Sequence, residues 1–371
     1  MTSAVDRRRP ILIMAGGTGG HVFPALAVAQ ELTALGVPVS WLGTRQGLEA
    51  RVVPAAGYPL STIRVSALRG KGLVRKLLAP LMLMVALWQT LAVFLRLRPA
   101  AVLGMGGFAA GPGGIMAWLL RRPLLIHEQN AIPGRTNRLL APLARCVMEG
   151  FPGSMPVARH AVSTGNPVRA GIIALASPEE RFSQRTDALR LLVVGGSRGA
   201  QALNQTVPQA IERLPEQQRP QIYHQTGEAG IAAVQLGYRG VIDHVRVETF
   251  IQDMADAYAW ADLVVCRAGA LTVAELAAVG VAAVLVPYPH AVDDHQTANA
   301  NYLVTAGAAI LVPQTEFTAA SLADILATFG GQRDVLLDMA RAARALAQPD
   351  AARQVAGLCR EAGGYTAGVA A

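Results

Sequence analysis

Acidic residues are missing where they would be most noticed. Residues 50–127 contain no aspartate or glutamate. The same stretch holds ten basic residues, Arg51, Arg64, Arg69, Lys71, Arg75, Lys76, Arg96, Arg98, Arg121 and Arg122, so the rest of the chain is close to neutral despite a net charge of +8. A field of one sign attracts an anionic surface and says nothing about fold. The stretch also lacks the interleaved aromatics of a strand-binding surface, so no nucleic-acid partner is expected. Cysteine is scarce: Cys146, Cys266 and Cys359 are far apart and odd in number, which argues against a disulfide framework and fits a reducing compartment. None of the seven histidines sits in a zinc pattern, no Lys-Ser or Lys-Thr closes a Walker loop, and no D-x-D pair offers to hold a nucleotide through a divalent ion. No metal site and no cofactor are expected. The basic start MTSAVDRRRP leads into an apolar run that breaks at once into glycines, so no cleavable signal peptide is read.

What is present is apolar and rich in glycine. With 371 residues, 52% of them hydrophobic, the chain can bury a large core and fill two domains. Ile11–Ala15 reads as a buried strand, Gly16-Gly17-Thr18-Gly19-Gly20 as a loop ending at His21, Pro24–Leu35 as a helix stopped by Gly36, and Val37–Leu42 as the next strand. This opening belongs to a parallel α/β sheet. It is not the dinucleotide fingerprint: the glycines miss the G-x-G-x-x-G register, and no ribose-binding acid follows the second strand. Such a loop serves either close approach of a ligand or tight packing of helix on strand.

Leu77–Leu95 is the oddest stretch, nineteen residues with only Gln89 and Thr90 polar. Three readings stay open: a core helix with an apolar patch lying on a membrane, a fully buried crossover helix, or a span. Arg75, Lys76, Arg96 and Arg98 bracket it, and cations beside apolar residues would draw the chain onto anionic lipid. Gly104–Phe108 with Gly111–Gly114 then reads as a second glycine-rich turn ahead of a helix near Ile115–Leu120. Strand Pro123–His127 delivers His127-Glu128-Gln129-Asn130 at its carboxyl end, where ligands of parallel sheets gather. Asn130 suits sugar hydroxyls or an amide, and Glu128 suits a brace for the loop.

Composition turns polar between Gly150 and Arg190, which places the domain boundary there: 1–168, and 169–345. The helical tail Met339–Leu358 suggests that 346–371 packs back on the first domain. The opening pattern then returns as strand Leu191–Val194, loop Gly195–Ala200 and helix Gln201–Arg213. Ser197 offers a hydroxyl to a phosphate oxygen. Gln221–Gln225 and Val241–Val247 read as strands and Met254–Ala261 as a short helix. Strand Leu263–Cys266 and turn Arg267–Ala270 then lead to a helix starting near Leu271, whose free amides suit a phosphate. Glu275, one turn further in, suits sugar hydroxyls. After strand Ala282–Val286, Asp293-Asp294-His295-Gln296 precedes another helix, and an amide such as Gln296 suits a diol or an N-acetyl group. His21 is either a base for an acceptor hydroxyl or an organiser of its loop.

Seven blocks in order, GGTGGHVFPALAVAQEL, GMGGFAAGPGG, HEQNAIPGRTN, TGNPVR, GGSRGAQALN, CRAGALTVAEL and VPYPHAVDDHQTANA, resemble the MurG family over roughly residues 11–356. The resemblance implies an α/β chain of two Rossmann-like domains facing across a cleft, the GT-B glycosyltransferase fold. It implies transfer of GlcNAc from UDP-GlcNAc to undecaprenyl-pyrophosphoryl-MurNAc-pentapeptide (lipid I), with inversion, to make lipid II for peptidoglycan. Thr18, Gly19, Gly20, Asn130, Arg169, Ser197, Ile251, Ala270, Leu271, Thr272, Glu275 and Gln296 would bind the donor, Glu275 through the ribose and Gln296 through the GlcNAc hydroxyls, with Asn299 supporting that loop. Gly106, Gly107, Phe108 and Asn137 would lie on the acceptor side. Phe108 stands where some relatives carry tyrosine, so a hydroxyl there is not essential. The family's place at the cytoplasmic face of the bacterial inner membrane implies a peripheral surface through 73–98, with cell-wall synthesis proteins as possible partners. Two rivals remain, a UDP-sugar transferase with a soluble acceptor and a non-catalytic nucleotide-sugar sensor.

Overall fold

The computed structural model describes residues 9–65, 79–183, 185, 187–196, 199–241 and 245–365. The chain divides into two compact units, Met1–Pro167 with Asp350–Ala371, and Val168–Pro349.

Among the described residues the first unit is built on a seven-stranded parallel sheet in the order β3-β2-β1-β4-β5-β6-β7. Its strands are β1 (Ile11–Met14), β2 (Val39–Thr44), β3 (Leu60–Ile63), β4 (Ala101–Gly104), β5 (Leu124–Glu128), β6 (Cys146–Glu149) and β7 (Val162–Ser163). All four residues of β1 are buried, the composition expected of a parallel strand covered on both faces. Alternation divides them: Ile11 and Ile13 join Leu32, Leu103, Val355 and Cys359, whereas Leu12 and Met14 join Val93, Phe94, Val102 and Leu140 on the other face. The C-terminal helix Ala351–Ala362 thus completes the first face, packing against helix Gly19–Ala34.

The second unit repeats the plan with six strands in the order β10-β9-β8-β11-β12-β13. They are β8 (Arg190–Val194), β9 (Gln221–Gln225), β10 (Val245–Glu248), β11 (Leu263–Cys266), β12 (Ala282–Leu285) and β13 (Ala309–Leu311). In each unit the strand order reverses between two central neighbours, β1 and β4 in one, β8 and β11 in the other. Loops leaving the carboxyl ends of such a pair diverge and open a crevice, the usual ligand position in doubly wound sheets. The first two glycine loops follow β1 and β4. The Gly195 loop and the Arg267–Gly269 turn follow β8 and β11.

Several elements differ from the sequence reading. The first helix starts at Gly19, inside the glycine loop, and Pro24 lies within it. Pro24 forfeits a single early hydrogen bond, so the helix absorbs it and the glycine amides become its first turn. Gly111–Gly114 are helical, within Ala110–Leu119, and form no turn. A Cβ on Gly113 would lie 2.0 Å from the Met14 sulfur and one on Gly114 2.6 Å from Leu140, so these glycines let the helix sit close to its neighbours. The tail is two helices, Arg333–Ala345 in the second unit and Ala351–Ala362 in the first, interrupted before Pro349. The strand expected over Val241–Val247 begins at Val245, after residues 242–244, which lie outside the described part.

Helix Ala79–Leu97 covers the described part of the long apolar run. The window Pro80–Leu97 is long and apolar enough to cross a membrane, yet 22% of it is buried inside the protein. Ala86, Thr90, Val93 and Phe94 face the core, while Leu81, Met84, Val85, Trp88 and Leu95 form an exposed stripe at helical spacing. The fully buried crossover reading is therefore wrong. Helix Ala110–Leu119, which packs against this one, exposes Trp118 and Leu119 just before Arg121 and Arg122.

Candidate active site

In the first unit the loop after β1 is held by a residue the sequence reading passed over. Glu49 is fully buried, accepting hydrogen bonds from Gly17 N (2.9 Å), Thr44 N (2.8 Å) and the Thr44 hydroxyl (2.7 Å). The close approach of its carboxylate explains a nearby glycine, since a Cβ on Gly16 would fall 2.5 Å from Oε1. Thr18 caps the helix without spending its hydroxyl on a capping bond, and the amides of Gly19 and Gly20 lie in the first turn, where the helix supplies no acceptor.

The loop after β4 packs on this one. Gly106 and Gly107 have φ of +93° and +87°, a region L side chains rarely adopt. A Cβ on Gly107 would meet Gly16 O at 2.5 Å, and one on Gly106 would meet the His21 ring at 2.8 Å. Both glycines expected on the acceptor side are thus required first by packing. Phe108 beside them is 49% exposed, which leaves its ring available to another molecule.

The third loop, after β5, is organised by Glu128. Its Oε1 accepts from Asn130 N (2.9 Å) and Asn130 Nδ2 (3.1 Å), and its Oε2 from Gly134 N (3.0 Å) and Asn137 Nδ2 (2.9 Å). Four donors on one buried carboxylate fix the loop, the bracing role the sequence suggested. Asn137, expected on the acceptor side, is instead buried, its amide nitrogen spent on Glu128 and on His127 O. Gln129, like His127 given no role from sequence, reaches the first loop: His21 Nδ1 lies 2.9 Å from its Oε1.

In the second unit, helix Ala270–Val279 begins after Gly269 with no side-chain cap. The amides of Ala270, Leu271 and Thr272 occupy the first turn, positive in partial charge and suited to an anion. Glu275 is buried one turn on. Arg169 Nη2 donates to its Oε1 (2.9 Å) and the Tyr258 hydroxyl to its Oε2 (3.1 Å). Burial pushes the Glu275 carboxyl above its ordinary range, and Arg169 and Tyr258 pull the other way. Each oxygen keeps a second lone-pair direction.

The loop after β8 is clamped by Gln225, which accepts from Gly196 N (3.1 Å) and donates to Gly196 O (2.9 Å). Ser197 lies outside the described residues. Ile251 is buried just after β10. The Gln296 carbonyl accepts from Tyr288 N (2.9 Å), so the amide nitrogen is the group that can donate. Asn299 donates to Ala268 O (3.2 Å), bracing the turn after β11. Arg267 ties that turn to the next, donating to Val286 O and Pro287 O (both 3.1 Å) with its guanidinium over the Tyr288 ring. Asp293 and Asp294, in left-handed conformations, lead into the helix at His295. Among the described residues no three His, Cys, Asp or Glu side chains converge as a metal-binding group.

Two doubly wound parallel domains, each with open amides at its strand-order reversal, make this a GT-B glycosyltransferase fold. Residues 11–149 match the glycosyltransferase family 28 N-terminal domain and residues 190–355 the family's C-terminal domain. The chain is 59% identical to a UDP-N-acetylglucosamine–N-acetylmuramyl-(pentapeptide) pyrophosphoryl-undecaprenol N-acetylglucosamine transferase of Alkalilimnicola ehrlichii, over 95% of this chain and 98% of that one. It is 57% identical to the protein of the same name in Nitrosococcus oceani, again over 95% and 98%. The crystal structure of Acinetobacter baumannii MurG superposes with a TM-score of 0.80 at 42% identity, covering 95% of this chain and 99% of that one. The chain belongs to the MurG family.

Proposed function

We infer that this protein transfers GlcNAc from UDP-GlcNAc to the MurNAc 4-hydroxyl of lipid I, forming lipid II for peptidoglycan synthesis. The observation that carries the reading is identity of 53–59% to relatives bearing that activity in their names, over at least 95% of the chain.

The chemistry suits the groups described. The acceptor hydroxyl attacks the anomeric carbon from the face opposite UDP, so the configuration inverts and no covalent enzyme intermediate is required. His21 is the proposed base, a role worth typically about 10²–10⁴ in rate. The amides of Ala270, Leu271 and Thr272, with Ser197, are proposed to meet the charge of the departing diphosphate. Glu275 is proposed to take the ribose diol, and Gln296 and Asn130 to bind the donor sugar. Thr18, Gly19, Gly20, Arg169 and Ile251 are proposed to bind the donor, and Gly106, Gly107 and Phe108 to serve the acceptor.

Association with the cytoplasmic face of the inner membrane is part of the proposal. Support comes from the exposed stripe of Leu81, Met84, Val85 and Trp88, and from exposed Trp118 on the helix packed against it, which Arg121 and Arg122 follow in sequence. Apolar insertion and cationic attraction add, the latter by about 1 kcal/mol per residue close to an anionic surface.

The deciding experiment is transfer of radiolabelled GlcNAc from UDP-GlcNAc to a short-chain lipid I analogue, with and without EDTA. Equal product in both arms is expected. UDP binding without product in either arm would favour the sensor or a different acceptor.

A further inference from the structure

The His21 imidazole does not end a hydrogen-bond chain at Gln129. Gln129, 1% exposed, donates through Nε2 to His127 Nδ1 (3.0 Å) and to His127 O (3.0 Å). His127, fully buried, has its Nε2 2.9 Å from Gly165 O. Gln129 O in turn accepts from Asn166 Nδ2 (2.9 Å).

Every proton in this chain can be assigned by elimination. The Gly165 carbonyl only accepts, so His127 Nε2 carries hydrogen. Burial holds the His127 imidazole below its ordinary value, against the Gly165 carbonyl and Glu128, which favour the proton. Neutral His127 therefore presents a lone pair at Nδ1, and the Gln129 amide must face it with its nitrogen. Turning that amide over would set its oxygen against the Nδ1 lone pair and the His127 carbonyl, two acceptors. Gln129 Oε1 is thus fixed toward His21, and His21 must donate from Nδ1. In neutral His21 the lone pair is then on Nε2.

We propose that Gln129 and His127 are positioning residues that hold His21 in its Nδ1–H tautomer, so that Nε2 is the atom receiving the acceptor hydroxyl's proton. The proposal rests on His21 acting as the base. In the step, the hydroxyl O–H bond breaks, an Nε2–H bond forms, the oxygen pair goes to the anomeric carbon, and the glycosidic pair leaves with UDP. The Nδ1–H bond to Gln129 persists throughout, so the ring needs no rotation between turnovers and regains its starting tautomer when Nε2 releases the proton to solvent. Gly106 permits this placement, since any side chain there would strike the ring. The anchors Gly165 and Asn166 stand just ahead of the passage of the chain into the second unit at Val168. The base is thereby tied to a segment distant from it in sequence.

The test joins nitrogen NMR to kinetics. In the full-length protein labelled with 15N-histidine, the His21 signals are assigned by their loss in His21→Asn. The wild type is expected to show protonated Nδ1 and bare Nε2 at His21; the opposite pattern overturns the proposal outright, whatever any variant does. Gln129→Met keeps the length of the side chain but neither donates nor accepts through it. It should mix the His21 tautomers and lower kcat roughly tenfold or more, up to the loss seen in His21→Asn, with KM for UDP-GlcNAc within about twofold of wild type. An inactive His21→Asn beside a Gln129→Met variant of unchanged kcat and unchanged tautomer refutes the positioning role alone. A fully active His21→Asn sinks the base reading itself, and the positioning role with it.

Discussion

Glu275→Gln isolates what the buried carboxylate contributes to donor binding. Arg169 and Tyr258 each use one lone-pair direction on its two oxygens, at 2.9 and 3.1 Å, which leaves one direction on each for a ribose diol. A hydrogen bond to a charged group is worth about 1.5–3 kcal/mol, so two of them, less some loosening of the existing pair, give a net of about 2–4 kcal/mol. Glutamine keeps one acceptor and loses the charge, so about half of that disappears, a rise in UDP Kd of roughly 5- to 30-fold. Glu275→Ala should weaken UDP more. The folded protein should tolerate glutamine, because the substitution also removes a charge whose burial is costly. There is a pH signature as well. Burial raises the Glu275 carboxyl above 4.5, so in the interval just above that value the free protein still holds the proton. A diol donates to the ionised form, so donor binding should release a proton there, and affinity should fall as pH drops into the interval. Glu275→Gln should abolish that dependence. Isothermal calorimetry with UDP across pH reads both effects, with Tm as the control for folding. Unchanged affinity in a folded Glu275→Gln or Glu275→Ala protein would refute the ribose assignment.

Other outcomes follow from the first unit. Glu49→Ala removes the acceptor for two backbone amides and a hydroxyl in a buried site, a loss of about 3 kcal/mol or more that should lower Tm by roughly 6–12 °C; a Tm within 2 °C of wild type, to give an approximate margin, contradicts the bracing role. Gly107→Ala sets a Cβ 2.5 Å from Gly16 O at a φ of +87°, so the first glycine loop must shift and kcat should fall together with Tm. Normal values of both would show that the loops can separate without consequence. Charge reversal at Arg75 and Lys76, combined with Leu81→Ser and Trp88→Ser, should abolish sedimentation with anionic vesicles while leaving the fold intact. Of these positions, Arg75 and Lys76 lie outside the described residues. Undiminished sedimentation of the folded variant would remove the membrane surface from the account.

Local sequence determined the elements and the family. Short apolar runs such as LVVC and LLVV, bounded by turn residues and too short for helices, read as strands buried on both faces, and one helix and two strands of the second unit, Gln201–Arg213, Gln221–Gln225 and Leu263–Cys266, have the bounds read from sequence. The seven ordered blocks carry the GT-B fold and the reaction. Glycine was the ambiguous letter. Gly106 and Gly107 occupy left-handed conformations against another loop, whereas Gly113 and Gly114 sit in a helix because Met14 and Leu140 press on it, and the two cases look alike in sequence. Tertiary structure alone decided the pairings: Glu49 with Gly17, His21 with Gln129, Arg169 with Glu275. The last two pairs lie 108 and 106 residues apart, and no local periodicity encodes such a distance. His21 and Gln129 meet because β4 and β5, which come much later in the chain, are laid down beside β1, and Arg169 and Glu275 meet because the short helix Ala170–Ile173 packs against helix Ala270–Val279. That strand order is a property of the packed sheet, in which buried carboxylates and amides must find every partner they need.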